Sequence, residues 1–294
     1  MTAVLLALAA ALCNALTTIF QRLGVESAGD VGSHPLRLMV HVVRRPIWLL
    51  GFAAMLGSFV FQAVALNFGA LTVVQPIMVT ELVFLVVILR VFFDHEIEWR
   101  VAVGTVLTVV GLAAFLALSS SQSSSLVPSS GEWVLVVSAG TAAVVLCAGL
   151  ARFGTRSWRS AWYGAAAAVA FAVAAAFTKT ATILLRGGVG SLLTHFEPYG
   201  LVAAGLAGLV LTQRAFHAGP ITASQATLTT VDPIASILIG VGVFGNELRG
   251  GTAALAGDAI SLAVMCAGLF VLTNSPLIAS SLENERLGRR TQPA

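Results

Sequence analysis

The chain has 294 residues, of which 57% are apolar and 10% charged, with a formal net charge of +3. A soluble domain carries about 25% charged residues, so too few remain here to clothe a water-facing surface of this size. The mean hydropathy is +0.93, and the apolar residues gather in runs near the roughly 20 residues that span hydrocarbon. The positive charge is therefore not a nucleic-acid signal and has to be read by position.

The first run, 2–21, is apolar from Ala3 onward and includes Ala-Leu-Ala. It lacks a cationic n-region and continues into Asn14, Thr17, Thr18, Gln21 and Arg22, so it reads as a retained first helix and not a signal peptide. Residues 22–47 are too polar to span and are expected to lie at the interface or to re-enter. Spans are predicted next at 48–68, 70–93 and 99–118, the first two joined by the tight turn Asn67-Phe68-Gly69. Ser119 to Ser130 is a serine-rich flexible linker. It leads to spans at 131–151 and 161–185, and the polar stretch 187–197 again suits the interface. The last three spans are 198–218, 219–244 and 252–273, with Pro220 suited to a helix start. Hydrogen bonding closed within each helix is what lets a backbone cross lipid. The prediction is an all-α polytopic membrane protein with about nine transmembrane helices. Cys13, Cys147 and Cys266 fall inside apolar runs without CxxC spacing and read as small core residues.

An odd number of spans puts the termini on opposite sides. Loops on the C-terminal side hold Arg22, Arg37, Arg44, Arg45, Arg90, Arg100, Arg152, Arg156, Arg159, Arg214, Arg286, Arg289 and Arg290, against Arg186 and Arg249 on the other. Cationic loops stay in the cytoplasm, which gives N-out, C-in. Fifteen of the sixteen cations are arginine; with the Ala-rich runs, this points to a high-GC bacterial genome and a multi-pass protein of the plasma membrane.

Two segments repeat. Gly69-Ala-Leu-Thr-Val-Val-Gln75 matches Gly219-Pro-Ile-Thr-Ala-Ser-Gln225 at an offset of 150, which also pairs Thr80 with Thr230. Glu81 and Glu96 are fifteen apart, as are Asp232 and Glu247, and the following spans carry Gly111 and Gly268 before Leu/Phe-rich ends. Spans one to four thus match six to nine, with span five left as a linking helix. That order forces the second repeat to enter from the opposite side, giving the inverted repeats of four helices that secondary transporters use for alternating access. The expected organisation is 1–118 as the first repeat, 119–160 as linker and linking helix, 161–274 as the second repeat, and 275–294 as a cytoplasmic tail.

Glu81-Leu-Val-Phe through Phe93-Asp-His-Glu96 resembles the "E-P-x-x…G-E" signature of the EamA branch of the drug/metabolite transporter (DMT) superfamily, and Asp232-Pro233 through Gly245-Asn-Glu247 repeats it. The nine-span count, Arg22-Leu-Gly24, Pro46-Ile-Trp48-Leu-Leu-Gly51, Gln75-Pro76, Lys179 and Gln213 resemble the NIPA-type magnesium transporter branch. There are departures. No proline follows Glu81, Ile77-Met78 stands where that branch resembles Leu-Gly, and Ala226 stands where it carries a second proline. The resemblance implies a gradient-driven carrier of a small metabolite, drug or divalent cation.

Glu81 and Asp232 sit near the centres of spans three and eight. A charge there costs roughly 2.5–3.5 kcal/mol on insertion scales, which selects for a partner, a water-filled cavity or protonation. Two such carboxyls at related positions can take up and release protons, clasp a cation (they are the metal ligands if the cargo is divalent), or simply hydrogen-bond a neighbouring helix. Gln225, Thr229, Asp232 and Ser236 fall on one helical face, and Pro233 removes the helical hydrogen bond to the carbonyl of Thr229. Gln75 lies beside Pro76 in the equivalent helix. Lys179 either snorkels outward or pairs with a midplane carboxylate. Gln62, Gln213 and His217 are cavity candidates; Asn14 and Gln21 suit bridges between helices. Asp258 suits a structural hydrogen bond, Glu96 and Glu247 suit solvated helix ends, and Gly104, Thr108 and Gly111 form a helix-packing stripe.

There is no Walker loop, G-x-G-x-x-G, G-x-S-x-G or metal-ligand histidine spacing. The chain is expected to be no enzyme and to need no cofactor. Its partners are a small-molecule or ion substrate and the bilayer, with no nucleic acid; a homodimer is compatible with this. The leading expectation is a gradient-coupled DMT transporter exporting a small metabolite or drug. A NIPA-type magnesium or other divalent-cation transporter is the first alternative. A membrane scaffold or lipid-modifying enzyme is the second, and it would have no use for pseudo-symmetry across the membrane.

Overall fold

The computed structural model describes residues 1–26, 46–93, 98–119, 127–245 and 252–275. Among them are eleven helices and no strand: α1 Thr2–Glu26, α2 Pro46–Phe68, α3 Leu71–Met78, α4 Glu81–Phe93, α5 Trp99–Leu118, α6 Ser130–Leu150, α7 Arg156–Leu185, α8 Val189–Thr194, α9 Glu197–Ala218, α10 Ile221–Gly242 and α11 Thr252–Thr273. Glu96, Glu247, Arg249, the serine stretch 120–126, residues 27–45 and the tail 276–294 lie outside the described residues, as does the side chain of Arg22.

Among the described residues, eight spans are long and apolar enough to cross a membrane, α3 and α4 together making one of them. α10 has the same length as α9, 22 residues, but its threonines, Gln225, Asp232 and Pro233 keep it out of that set. The protein is therefore a polytopic, membrane-embedded helical bundle. Its outer surface agrees: Val60, Val106, Val134, Leu146, Leu209, Ile260 and Phe270 are all exposed. A soluble monomer rarely tolerates a contiguous apolar patch beyond a few hundred Å², whereas hydrocarbon covers such a surface without cost.

Local signals explain several helix ends. Ser129 caps α6 in a reciprocal capping box with Glu132, and Thr155 caps α7 by accepting from Trp158 N. Pro220 stands immediately before α10, as its fixed φ suits. The polar stretch 187–197 does not span. It holds only the six-residue α8, none of whose residues is buried.

α7 is the centre of the bundle. It contacts α9, α10, α6, α2, α8 and α3, and 72% of its most apolar window is buried. Ala165, Ala166, Ala167, Ala168, Ala170, Ala172, Ala174, Ala175 and Ala176 are all buried along it. Small side chains let backbones approach closely where hydrophobic expulsion from water cannot drive helices together. At Gly164 the approach to α10 is so close that a Cβ would fall on the backbone of Ser224.

The other close crossing is α5 with α11. A Cβ on Gly111 would meet the backbone of Met265 and Ser261, and a Cβ on Gly268 would meet the backbone of Thr108 and Gly104. The predicted stripe Gly104, Thr108 and Gly111 is indeed a packing face, and all three residues are buried.

Span three contains a break. Pro76 cannot donate to the carbonyl of Thr72, and the chain tightens just beyond it. Thr80 N and Thr80 Oγ1 both donate to the Ile77 carbonyl, at 2.9 and 2.7 Å. Leu82 N donates to Val79 O at 3.2 Å, so the helix restarts with Glu81 in its first turn. The expected single helix over 70–93 is two helices end to end.

Candidate functional site

The break gives Glu81 a specific place. A first-turn carboxylate lies where free backbone N–H groups and the helix dipole favour negative charge. Asn14 of α1 reaches across and donates its Nδ2 to Glu81 Oε2, an interhelical bridge of the kind its sequence setting suggested. α1 packs on both α3 and α4, and α3 packs on α10. These contacts bring Asp232 close enough to Glu81 for the two carboxyls to interact electrostatically. Both are half-buried.

Neither carboxylate has an ion-pair partner among the described residues. Lys179 does not supply one, and it does not snorkel either. It is fully buried, its Nζ donates to the Gly69 carbonyl at 3.1 Å, and it stands 5.1 Å from the centroid of the Phe244 ring. The turn between α2 and α3 offers that carbonyl at closer range than any carboxylate, which is why both sequence readings of Lys179 fail.

The polar face of α10 is only partly available. The Thr229 hydroxyl turns back onto its own helix, to Gln225 O at 2.8 Å and Ala226 O at 3.3 Å. Helical Ser and Thr commonly bond the carbonyl one turn earlier, so Thr229 contributes packing more than a free hydroxyl. In contrast, Asp232 Oδ1, Ser236 Oγ and Thr230 Oγ1 on α10 and Gln75 Nε2 on α3 are buried without a hydrogen-bond partner among the described residues. Of these, Asp232 and Ser236 share one face of α10 with Gln225, whereas Thr230 lies on the opposite face. Gln225 is half-buried. Gln62 is half-buried on α2, while Gln213 and His217 are exposed on α9.

The donor set suits protons or a cation. It offers two carboxyls, amides and hydroxyls, with no nucleophile activated by a base. No cluster of three or more His, Cys, Asp or Glu suited to a metal occurs among the described residues, so a divalent cation would find two anionic ligands and would retain several waters. Asp258 is buried on α11.

Two features escaped the sequence reading. Arg186 donates from Nε to Asn67 Oδ1 at 2.9 Å and from Nη2 to Asn67 O at 2.8 Å. An apolar crevice of about 1190 Å³ lies between α6, α7 and α9, lined by residues including Trp133, Phe177, Phe196 and Gly200. Trp133 stacks on Phe177 with centroids 4.2 Å apart. No motif announces either feature, because each depends on which helices become neighbours.

The chain is 27% identical over 251 residues to an uncharacterised protein of Corynebacterium glutamicum, covering 84% of this chain and 86% of that one. No family model matches the chain, and no solved structure matches it.

Proposed function

We propose that this protein is a secondary transporter of the DMT superfamily, working by alternating access in the plasma membrane. Glu81 and Asp232 form its shared site for a coupling proton or a cationic solute. The observation that carries the reading is the approach of two carboxyls from corresponding helices, with no basic partner among the described residues and with unpartnered polar atoms on α3 and α10.

Paired contacts support the inverted repeat. The contacts of Gly111 with Met265 and Ser261 turn into those of Gly268 with Thr108 and Gly104 when the two helices are exchanged. One offset, 157, relates Gly111 to Gly268, Thr108 to Met265 and Gly104 to Ser261. The same offset relates Ala3 to Ser160, and these face the corresponding turn residues Gly69 and Gly219. In this reading α10 is the ninth crossing, because its polar residues face the pathway and not lipid, and the chain runs N-out, C-in. Cysteine labelling in intact cells tests the orientation in a Cys-free background. A cysteine at Ser124 should react with an impermeant maleimide and one at Ser281 should not; the reverse pattern overturns it.

The same two carboxylates suit a divalent cation as cargo, since such an ion requires anionic oxygen ligands. One experiment separates the readings. The protein is reconstituted in liposomes and screened against amino acids, nucleosides, cationic dyes and magnesium, with and without a pH gradient. Solute movement that follows the pH gradient is expected. Magnesium flux indifferent to pH would make the cation reading first, and no flux of any solute would favour a non-transport role.

A further inference from the structure

α7 is tied by hydrogen bonds to a turn at each of its ends, and the two ties differ in kind. Near its start the Ser160 hydroxyl lies 3.0 Å from the Ala215 carbonyl and 2.8 Å from the Pro220 carbonyl. Those acceptors flank the turn between α9 and α10, in the same half of the chain as α7. Near its end Lys179 bonds the carbonyl of Gly69 and Arg186 bonds Asn67. These acceptors form the turn between α2 and α3, in the opposite half. Contacts within a half survive when two halves rock against each other, whereas contacts between halves at a mouth that opens must break and re-form.

The chemistry of the second tie fits a bond made to be broken. A buried ammonium carries three N–H donors, and here it has one carbonyl and one ring face. Taking an ammonium out of water costs more than such partial pairing returns, and an apolar residue of similar volume would fill the same space without that cost. Phe244 follows α10, the helix that carries Asp232. The Lys179 ammonium therefore touches both the turn that opens the Glu81 span and the end of the Asp232 helix.

We propose that Lys179, assisted by Arg186, is a latch that closes one mouth of the pathway by holding the α2–α3 turn to the end of α7, and that its release opens this mouth while the opposite mouth closes. The proposal rests on the transport reading above. It makes Lys179 a positioning residue and not a ligand for the solute.

Spin-label distances in liposomes test it without any transported solute. With Cys13, Cys147 and Cys266 replaced, labels at Phe68 and Leu185, both exposed beside the latch, report the near mouth. Labels at Ile47 and His217, both exposed, report the other end. The double variant Lys179→Gln/Arg186→Gln should lengthen the first distance by about 5 Å, the scale of a one-turn shift, and shorten the second. The exposed single change Arg186→Gln, and Phe244→Leu, which removes only the ring, should move both distances the same way by less, and they carry the test if the double variant fails to accumulate. A change confined to the first pair means local loosening and overturns the latch, as do unchanged distances at both ends. Absence of flux for every solute in the liposome screen would sink the transport reading through a separate measurement.

Discussion

The two carboxylate-bearing spans share a short sequence pattern, and they differ in how they hold their acid. In the first, the helix breaks after Pro76, Glu81 occupies a new first turn, and Asn14 supplies a donor. In the second, α10 runs unbroken through Pro233, and Asp232 Oδ1 finds no partner among the described residues. The first acid has a donor from its own protein on one oxygen. The second needs something else, water or a solute, to complete its bonds. On the transport reading proposed above, the two acids play different parts, with Asp232 the one coupled to what enters the site.

That contrast makes Asp232→Asn the largest expected effect. Asparagine keeps the shape and can hydrogen-bond, so membrane levels should stay near normal. Uptake should fall at least about tenfold, a barrier increase of some 1.4 kcal/mol. Wild-type rates in this variant would erase the distinction and reduce Asp232 to packing.

A milder loss is expected at Glu81. Glu81→Gln retains an oxygen for the Asn14 amide, and transport should drop only about threefold, under 1 kcal/mol. Asn14→Ala removes the bridge itself and should lower stability by about 0.6 kcal/mol, the average for interhelical hydrogen bonds in membranes, and by no more than about 1.7 kcal/mol, the largest such value, read from thermal unfolding in detergent. If Glu81→Gln proves more damaging to transport than Asp232→Asn, the roles assigned to the two acids are reversed.

The smallest expected effect is that of magnesium. A cation held by both carboxylates stabilises the folded state by mass action, but Glu81 already has Asn14 as its partner. Millimolar magnesium should therefore leave the melting temperature unchanged. A rise that disappears in Glu81→Gln/Asp232→Asn would show the two acids acting as one divalent site and would make the cation reading first.

Much of this was legible in the chain itself, for reasons that do not depend on who neighbours whom. Hydrocarbon thickness fixes span length, so the apolar runs located the helices, and the shortage of charge excluded a soluble domain. Pro220 announced the start of α10 through local backbone chemistry. Glu81 and Asp232 stood out because charge inside an apolar run is costly wherever the run packs. The break after Pro76 was half legible: proline removes one bond, but only the coordinates showed Thr80 closing on Ile77 to restart the helix at Glu81.

Tertiary structure decided everything that turns on partners. Lys179 was read as a snorkelling or carboxylate-pairing residue because sequence shows the charge and not the carbonyl across the interface. Its acceptor, Gly69, is 110 residues away. Asn14 was seen as a bridge without its far end, which lies 67 residues on. In a bilayer both sides of a helix can be apolar, so the hydrophobic pattern that marks the buried face of a soluble helix loses its contrast. What fixes the faces here is close approach of small residues, Gly164 on Ser224 and Gly111 on Met265. A glycine by itself does not name the backbone it will meet.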